Sequence, residues 1–451
     1  MSPAVARTPV LEEGSDWMSL SGDTSAWAVL VGVTASGSHA SAHWFQGFLA
    51  SCRERNLRIC GVDFHESLQQ GVTPIPVECL VTVPGPYTSE LGAEQIAAVV
   101  EEIRARCGGQ VVLSTALREN YQLLNSQLAQ ALGTMANDIA CIRLIQDKPA
   151  CRRALRQAGV PQPQSLRILG AAADGAPLFG DAAGTGVPAP RPARGGWIVK
   201  PATGMGSVGV HRIASLDELP DLGPEVMAGG YCLEEFVTGA EFSVEGLTVD
   251  GRVRVYTTTA KMINERYVET GHLQPAGPDR IPASCHLEEQ LQTCIDALGI
   301  RCGHLHAEFW VTPEDKVVWG EFHVRQGGDF IAPDLVSAVR PGLDFYGELV
   351  DSLRGQALGP IPQMSRHAGA RFLETAAGTV VGTSLDGRIP AGTFIYWECR
   401  PGETVHAVNG LRARAAAALA CGDDEPAVEA MLAGAIDACD ARVDVDQTGR
   451  E

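Results

Sequence analysis

His304-Leu-His-Ala-Glu-Phe-Trp-Val-Thr-Pro-Glu-Asp-Lys-Val-Val-Trp-Gly-Glu-Phe-His-Val-Arg325 consists of two alternating runs around Pro313-Glu314-Asp315-Lys316. Alternation on both sides of a short polar loop predicts a β-hairpin. Folded there, Thr312 faces Val317 and Glu308 stands opposite Glu321. The same register pairs His306 with His323 and His304 with Arg325, and the period of two puts all six on one face. The other face, Leu305, Phe309 and Val311 against Val318, Phe322 and Val324, is apolar and expected to be buried. Two opposed carboxylates repel across a ladder, and a hard divalent cation gripped by both would offset that. A solvated polar face with two unrelated glutamates is the plainer alternative, but it leaves the neighbouring histidines and Arg325 unexplained. After the hairpin, Gln326-Gly-Gly-Asp329 gives a turn where a ligand or phosphate can approach the backbone at Gly327 and Gly328.

Upstream, Trp197-Ile-Val-Lys200 reads as a strand ending in a lysine. Pro201-Ala-Thr-Gly-Met-Gly-Ser-Val-Gly209 follows, then a return strand from Val210 to Ile213. A Walker loop needs G-x-x-x-x-G-K-[ST] entering a helix, and that lysine is absent. The segment instead predicts a flap whose backbone at Gly204, Gly206, Ser207 and Gly209 can cover phosphates, with Lys200 beneath it. Leu233 to Glu245 is predicted as strand, turn, strand, with Thr238-Gly239 at the bend. Acceptors beside Phe236 and Val237 suit an adenine and its ribose, although Glu234 and Glu235 alone read as ordinary exposed residues. Asp147 predicts the N-cap of a helix running from Lys148 to Ala158 and stopping at Gly159.

The length of 451 residues points to two or three domains. Hydrophobic content of 45% and charged content of 20% describe a soluble globular chain, and a net charge of -19 argues against a nucleic-acid surface. The 13 cysteines include no C-x-x-C pair, which suggests reduced thiols in a cytoplasmic protein, not a disulfide framework or a zinc site. No basic segment followed by an apolar run opens the sequence, and no membrane span is predicted. A disordered leader is expected over residues 1–24. In 25–125, Ala26 to Val33, a loop at Thr34 to Ser38, a helix from Phe45 to Arg55 and a strand at Leu57 to Val62 make a βαβ start, hence a parallel α/β domain. Gly32 and Gly37 do not complete G-x-G-x-x-G. The central domain is expected over 126–350, with a flexible Ala/Gly/Pro insertion at 170–196 and the flap at 201–209. The last domain, 351–445, is expected to carry an alanine-rich helix at Leu411 to Ala420 and another at Pro426 to Ala438.

Taken together, Lys148, Lys200 with its flap, Glu234 to Val237, Glu308, Glu321 and Arg325 resemble the ATP-grasp superfamily over roughly residues 140 to 340. Within it, the chain looks like the L-amino acid ligases, on Tyr267-Val-Glu-Thr-Gly-His272, Glu321-Phe-His-Val-Arg-Gln-Gly-Gly-Asp329 and the segment from near Ala370. The resemblance implies an α/β fold, α+β in the ATP-grasp part: a parallel pre-ATP-grasp domain, two α+β subdomains clamping ATP, and a C-terminal α+β subdomain. It implies that Lys148 and Lys200 contact phosphates, Glu234, Phe236 and Val237 hold the base, and Glu241 holds the ribose. Glu308 and Glu321 would ligate Mg2+, with Mn2+ as a substitute, and Arg325 would steady the transferring phosphate. Glu269 and His272 would face the substrates, with His272 also a catalytic candidate. Many ATP-grasp enzymes carry Asn where His323 stands, so His323 is open to either metal or substrate.

The implied reaction joins a small-molecule carboxylate, such as an amino acid, to an amine through an acyl phosphate, with dimers common in the family. Dipeptide or peptide-like natural-product synthesis is one setting, and an unusual acid or amine metabolite is another. A phosphotransferase without an amine partner and a silent nucleotide-binding module are alternatives from other classes. Biotin-dependent carboxylation is disfavoured by the lack of a biotinyl-lysine segment.

Overall fold

The computed structural model describes residues 26–34, 39–69, 75–86, 90–193, 195–204, 208–264, 268–385, 387–406 and 413–444. The expected leader lies outside them, as do Gly206 and Ser207 of the flap. No helix of the described residues is long and apolar enough to cross a membrane.

The apolar run Trp27 to Val31 is buried throughout, as a strand covered on both faces requires. It lies in a parallel sheet in the order Cys79–Val83, Leu57–Phe64, Ala26–Val31, Val111–Ala116. The strand Ala26–Val31 therefore has a neighbour on each side, and the connections depart in opposite directions from it. Such a reversal opens a crevice at the carboxyl ends of the strands. Thr34, Ser67 and the segment from Leu117 to Tyr121 leave those ends and line the principal cavity.

Two antiparallel sheets follow. The first runs Gly186–Val187, Pro177–Gly180, Ser165–Ala171, Tyr231–Glu235, Trp197–Pro201, His211–Ile213. Its first two strands come from the segment expected to be a flexible insertion; that expectation is corrected, because the insertion extends the sheet edge. The second sheet has eight strands: Val317–His323, Gly303–Val311, Ala240–Val249, Arg252–Ile263, Glu269–Gln274, His367–Thr375, Ala413–Gly422, Thr393–Trp397. A third, small sheet joins Thr404–Val405, Gly378–Leu385 and Cys439–Asp444.

Tyr231–Glu235 and Ala240–Val249 belong to different sheets, so the expected strand-turn-strand over Leu233 to Glu245 is a crossover, not a hairpin. Gly239 passes so close to the neighbouring strand that a Cβ there would lie 2.5 Å from the Val311 carbonyl oxygen. Bound for a second sheet, the chain has no room for a side chain at that point.

Alternation along the eight-stranded sheet separates its two faces. Phe242, Val244, Phe309, Trp319 and Phe322 form a core with the helices Ile139–Gln146, Lys148–Gln157 and Leu287–Leu298. Glu241, Lys261, His306 and Glu308, from the same sheet, line the cavity on the other side. Asp147 caps the helix Lys148–Gln157 through a hydrogen bond from the Ala150 amide at 3.1 Å, as the sequence predicts.

Two local expectations fail. Ala413–Gly422 is a strand where an alanine-rich helix at Leu411 to Ala420 was expected. Alanine favours helix only weakly, and here its side chains are buried between two paired strands and beneath the helix Glu425–Asp437. In the hairpin, the expected register holds at the base, where His306 pairs with His323 and Ala307 with Phe322. Beyond a bulge the register shifts by one, so Phe309 faces Trp319 and Val311 faces Val317. Val317 and Trp319, not Val318, therefore enter the core. The bulge falls at Gly320, where a Cβ would stand 2.9 Å from the Glu308 carbonyl oxygen.

His304 does not reach the cavity. Its ring stacks on Phe345 at 4.0 Å between centroids, and its Nε2 lies 3.1 Å from the Phe345 carbonyl oxygen. Burial pulls its pKa down to about 4, against the opposing effect of its hydrogen bonds. The folded pKa is thus below the unfolded value near 6.5, so unfolding takes up a proton between those values. Stability should fall as pH drops from about 6.5 towards 4, by about 3 kcal/mol in full. Urea unfolding of His304→Gln across that range should show a flatter pH dependence than the parent; an equal slope would refute the assignment.

Candidate active site

A cavity of about 990 Å³ lies where the three larger sheets meet. At one end, the Lys148 Nζ donates to the Gly204 carbonyl at 2.8 Å and lies 3.6 Å from Glu321. The Lys148 amide donates to the Ala202 carbonyl, which ties the helix start to the root of the flap. Lys200 sits 2.9 Å from Glu234 and 3.2 Å from Glu321. Burial would lower the Lys200 pKa, but those two carboxylates outweigh it and hold the ammonium above its ordinary value. Phe236 and Val237 line the same end, both half-buried, with the Arg212 guanidinium 4.0 Å from the Phe236 ring centroid.

Glu234 is buried at the cavity wall. Its carboxylate receives the Arg152 guanidinium at 2.9 and 3.1 Å, and Arg152 also donates to the carbonyls of Trp319 and Gly320 at 2.6 Å each. Those carbonyls flank the hairpin bulge, where the ladder is interrupted. A single buried arginine thus joins the six-stranded sheet to the hairpin bulge of the eight-stranded sheet.

Glu308 and Glu321 both line the cavity from facing strands. Lys261 is enclosed by three carboxylates: Glu308 in close contact, Glu269 at 2.9 Å and Glu241 at 3.3 Å. Burial raises the Glu241 pKa to about 7 despite Lys261, with Glu308 and Glu269 adding to the rise. Glu241 also accepts from the Trp310 indole at 3.1 Å.

His306 lies between Glu245 and Glu308, its Nδ1 3.0 Å from both Glu245 oxygens and its Nε2 3.3 Å from Glu308. Burial pulls the imidazole pKa down, but Glu245 and Glu308 carry it up to about 9. The glycine turn packs against this pair: a Cβ on Gly327 would stand 2.9 Å from Glu245 Oε2 and 3.0 Å from His306 Nδ1. Gly328 lines the cavity beside it. His323 lies on the other side, its Nδ1 2.9 Å from Glu119 and its Nε2 3.8 Å from Glu321. Arg325 reaches the same Glu119 oxygen at 3.3 Å and donates to the Gln326 carbonyl at 2.7 Å. Burial pushes the Glu119 pKa up, yet His323, Arg325 and Gln146 outweigh it and bring it to about 2.

Residues 194–334 match the family model described as an ATP-grasp domain. These residues are an ATP-grasp domain. No curated protein matches the chain in sequence. Among solved structures, the fold is similar to an L-amino acid ligase from Bacillus licheniformis, with TM-score 0.72 and 17% identity, over 94% of this chain and 100% of that one. It is similar to the biotin carboxylase domain of a Hydrogenobacter thermophilus 2-oxoglutarate carboxylase in complex with MgADP and bicarbonate, with TM-score 0.61 and 12% identity, over 92% and 90%. It is also similar to an N5-carboxyaminoimidazole ribonucleotide synthetase from Thermotoga maritima, with TM-score 0.62 and 14% identity, over 93% and 100%.

The ATP-grasp fold implies a bound divalent cation, and Glu308 and Glu321 fit one. Both offer hard oxygen donors into one cavity, and each carboxylate is now offset by a lysine ammonium at its side. Of the predicted site residues, Lys148, Lys200, Gly204, Glu234, Phe236, Val237, Glu241, Glu269, Glu308, Glu321, His323, Arg325 and Gly328 line the cavity. Gly209 turns at positive φ beside Tyr231 at the foot of the flap.

His272 requires correction. It stands on the strand Glu269–Gln274, fully buried, edge-on to Phe372, and does not line the cavity. Its Nε2 is 3.5 Å from Glu269, so it stands behind that carboxylate.

The reading from sequence omits Glu119, Arg152, Glu245 and Lys261. Two signals for them exist. Glu241, Ser243 and Glu245 alternate on one strand, as do Thr257, Thr259 and Lys261 on the next, and both series mark a polar sheet face. Glu119 follows a parallel strand at its carboxyl end, the usual place for ligand-facing residues.

Proposed function

We propose that this protein is an ATP- and Mg2+-dependent ligase joining a carboxylate to an amine, with amino acids as both substrates and a dipeptide or peptide-like product. The observation that carries this reading is the convergence of Lys148, Lys200, a glutamate from each of two facing strands and Arg325 in one cavity. Glu269 at the far side adds a carboxylate suited to a substrate ammonium.

A carboxylate is a poor acyl donor because its oxygen leaves badly. Transfer of the γ-phosphoryl group of ATP to that oxygen releases ADP and gives an acyl phosphate. The substrate amine then attacks the acyl carbon, the C–O bond to phosphate breaks, and the amide and inorganic phosphate form. Lys148 and Lys200 would hold the β- and γ-phosphates under the flap, while Phe236 and Val237 would flank the base and Glu241 the ribose. Glu308 and Glu321 would hold Mg2+, which supplies charge neutralisation on the phosphates when bound. Arg325 would face the equatorial oxygens of the group in transfer. In this reading residues 126–350 bind ATP, 25–125 precede that unit and 351–445 cover the substrate end, in a cytoplasmic protein.

Incubation with ATP, Mg2+ and single amino acids in the presence of hydroxylamine should yield a hydroxamate and ADP. Pairs of amino acids without hydroxylamine should yield ADP and an amide. ADP formed with a phosphorylated hydroxyl product and no hydroxamate would replace the ligase reading with a phosphotransferase.

A further inference from the structure

Three of the 13 cysteines converge at a place unrelated to the ATP cavity. Cys60 lies in the strand Leu57–Phe64, Cys79 opens the edge strand Cys79–Val83, and Cys107 ends the helix Ala93–Cys107. Parallel pairing sets Cys60 directly beside Cys79. The helix that follows the edge strand runs back along the sheet and delivers Cys107 to the same spot. All three sulfurs lie within 4.8 Å of one another, and all are free thiols. Sequence spacing hides the set, because a strand pairing and a crossover helix bring the residues together, not a C-x-x-C turn.

We propose that Cys60, Cys79 and Cys107 form a three-thiolate site for a thiophilic d10 cation, Cu+ or Zn2+. Metal–sulfur bonds of about 2.3 Å place the sulfurs of a trigonal set about 4 Å apart, so small side-chain rotations close this cluster around an ion. The donor set among the described residues is thiol only, which is soft and selects Cu+ or Zn2+ over Mg2+ or Ca2+. Three sulfurs complete a trigonal Cu+ site, whereas Zn2+ would take a water as its fourth ligand. Binding releases the thiol protons and leaves an anionic centre, beside which Arg58 and Arg106 supply positive charge.

Cys60 and Cys107 are buried, while Cys79 on the sheet edge is half-buried and gives the ion its way in. Within the set, hydrogen bonding from Cys60 lowers the Cys107 pKa against burial, while Cys107 and burial push the Cys60 thiol up and burial pushes up that of Cys79. Buried thiols otherwise pack as small apolar side chains, and that is the competing account. The cluster lies towards the amino ends of the parallel strands, opposite the carboxyl ends that line the ATP cavity. A metal there would therefore act on stability, not on the ligase step.

The test uses the full chain, reduced and metal-free, under nitrogen. Competition against bicinchoninate for Cu+, and against 4-(2-pyridylazo)resorcinol for Zn2+, should show a single equivalent captured by the parent protein. C79S and C107S should lose that equivalent, and C79S should keep the parent's circular dichroism and ATP turnover. The bound ion should raise the melting temperature of the parent and leave that of C79S unmoved. Capture of Cu+ alone or of Zn2+ alone supports the site and names its ion. A parent that fails against both competitors, or a C79S that captures metal as the parent does, overturns it.

Discussion

Arg325→Ala is expected to lower kcat by about 10²–10³-fold, the scale for losing one donor aimed at developing charge. The guanidinium is held in place before any substrate arrives, with Glu119 at 3.3 Å on its Nε and the Gln326 carbonyl at 2.7 Å on Nη1. With Nε and Nη1 engaged, Nη2 is the nitrogen left for a ligand in the cavity that Arg325 lines. The loss should fall on turnover while the KM for ATP moves little, because the proposed reading assigns the nucleotide phosphates to Lys148 and Lys200. Arg325→Lys should recover only part of it, since an ammonium keeps the charge but not the fork that engages Glu119 and the Gln326 carbonyl together. Steady-state ADP release measures both numbers. Near-parental turnover in Arg325→Ala would remove the residue from the chemistry.

Arg152→Met should lower the free energy of unfolding by about 3–5 kcal/mol, the cost of breaking a buried ion pair from one side. The side chain is 2% exposed, and its partners have little access to water once it is gone. Glu234 would keep Lys200 at 2.9 Å but lose two charged hydrogen bonds. The carbonyls of Trp319 and Gly320 would lose their charged donor beside the hairpin bulge. The Glu234 carboxyl is pushed up by burial but held well below the usual carboxylate range by Arg152 and Lys200. Without Arg152, part of that depression should vanish, so the variant should lose less stability than the parent as pH falls below the carboxylate range. Urea unfolding at neutral and acid pH checks both. A loss below about 1 kcal/mol, the value of an exposed pair, would show that the arginine is not structural.

Much of this geometry could be read from the sequence where period and polarity agree. The strand Ala26–Val31 is a short apolar run, Asp147 precedes Lys148-Pro149, and the hairpin alternates on both sides of Pro313-Glu314-Asp315-Lys316. The register slip was not readable, because it depends on Gly320 accepting a backbone that a side chain would block, and on an arginine 168 residues away satisfying the carbonyl it frees. The alanine strand was misread because local propensity points to helix while two neighbouring strands provide partners. Glu245 and Lys261 are visible in the sequence as polar steps in a period of two, but that period does not say that their face meets a cavity. His272 was placed by its Glu-Thr-Gly-His context, and only the pairing of the strand Glu269–Gln274 shows that it faces Phe372.

The strand Glu269–Gln274 pairs with His367–Thr375, so one sheet continues from the glutamate hairpin into the C-terminal region without a seam of side chains. A joint made of packed side chains can drift as its residues are replaced, but a ladder of amides tolerates no gradual slippage. Arg414 adds to the joint from the C-terminal side, donating to Asp329 at 2.7 Å and to the Glu269 carbonyl at 2.8 Å. A chimera that grafts a foreign C-terminal region has to inherit the alignment of Leu273 with Gly369, or every side chain beyond the splice will change faces.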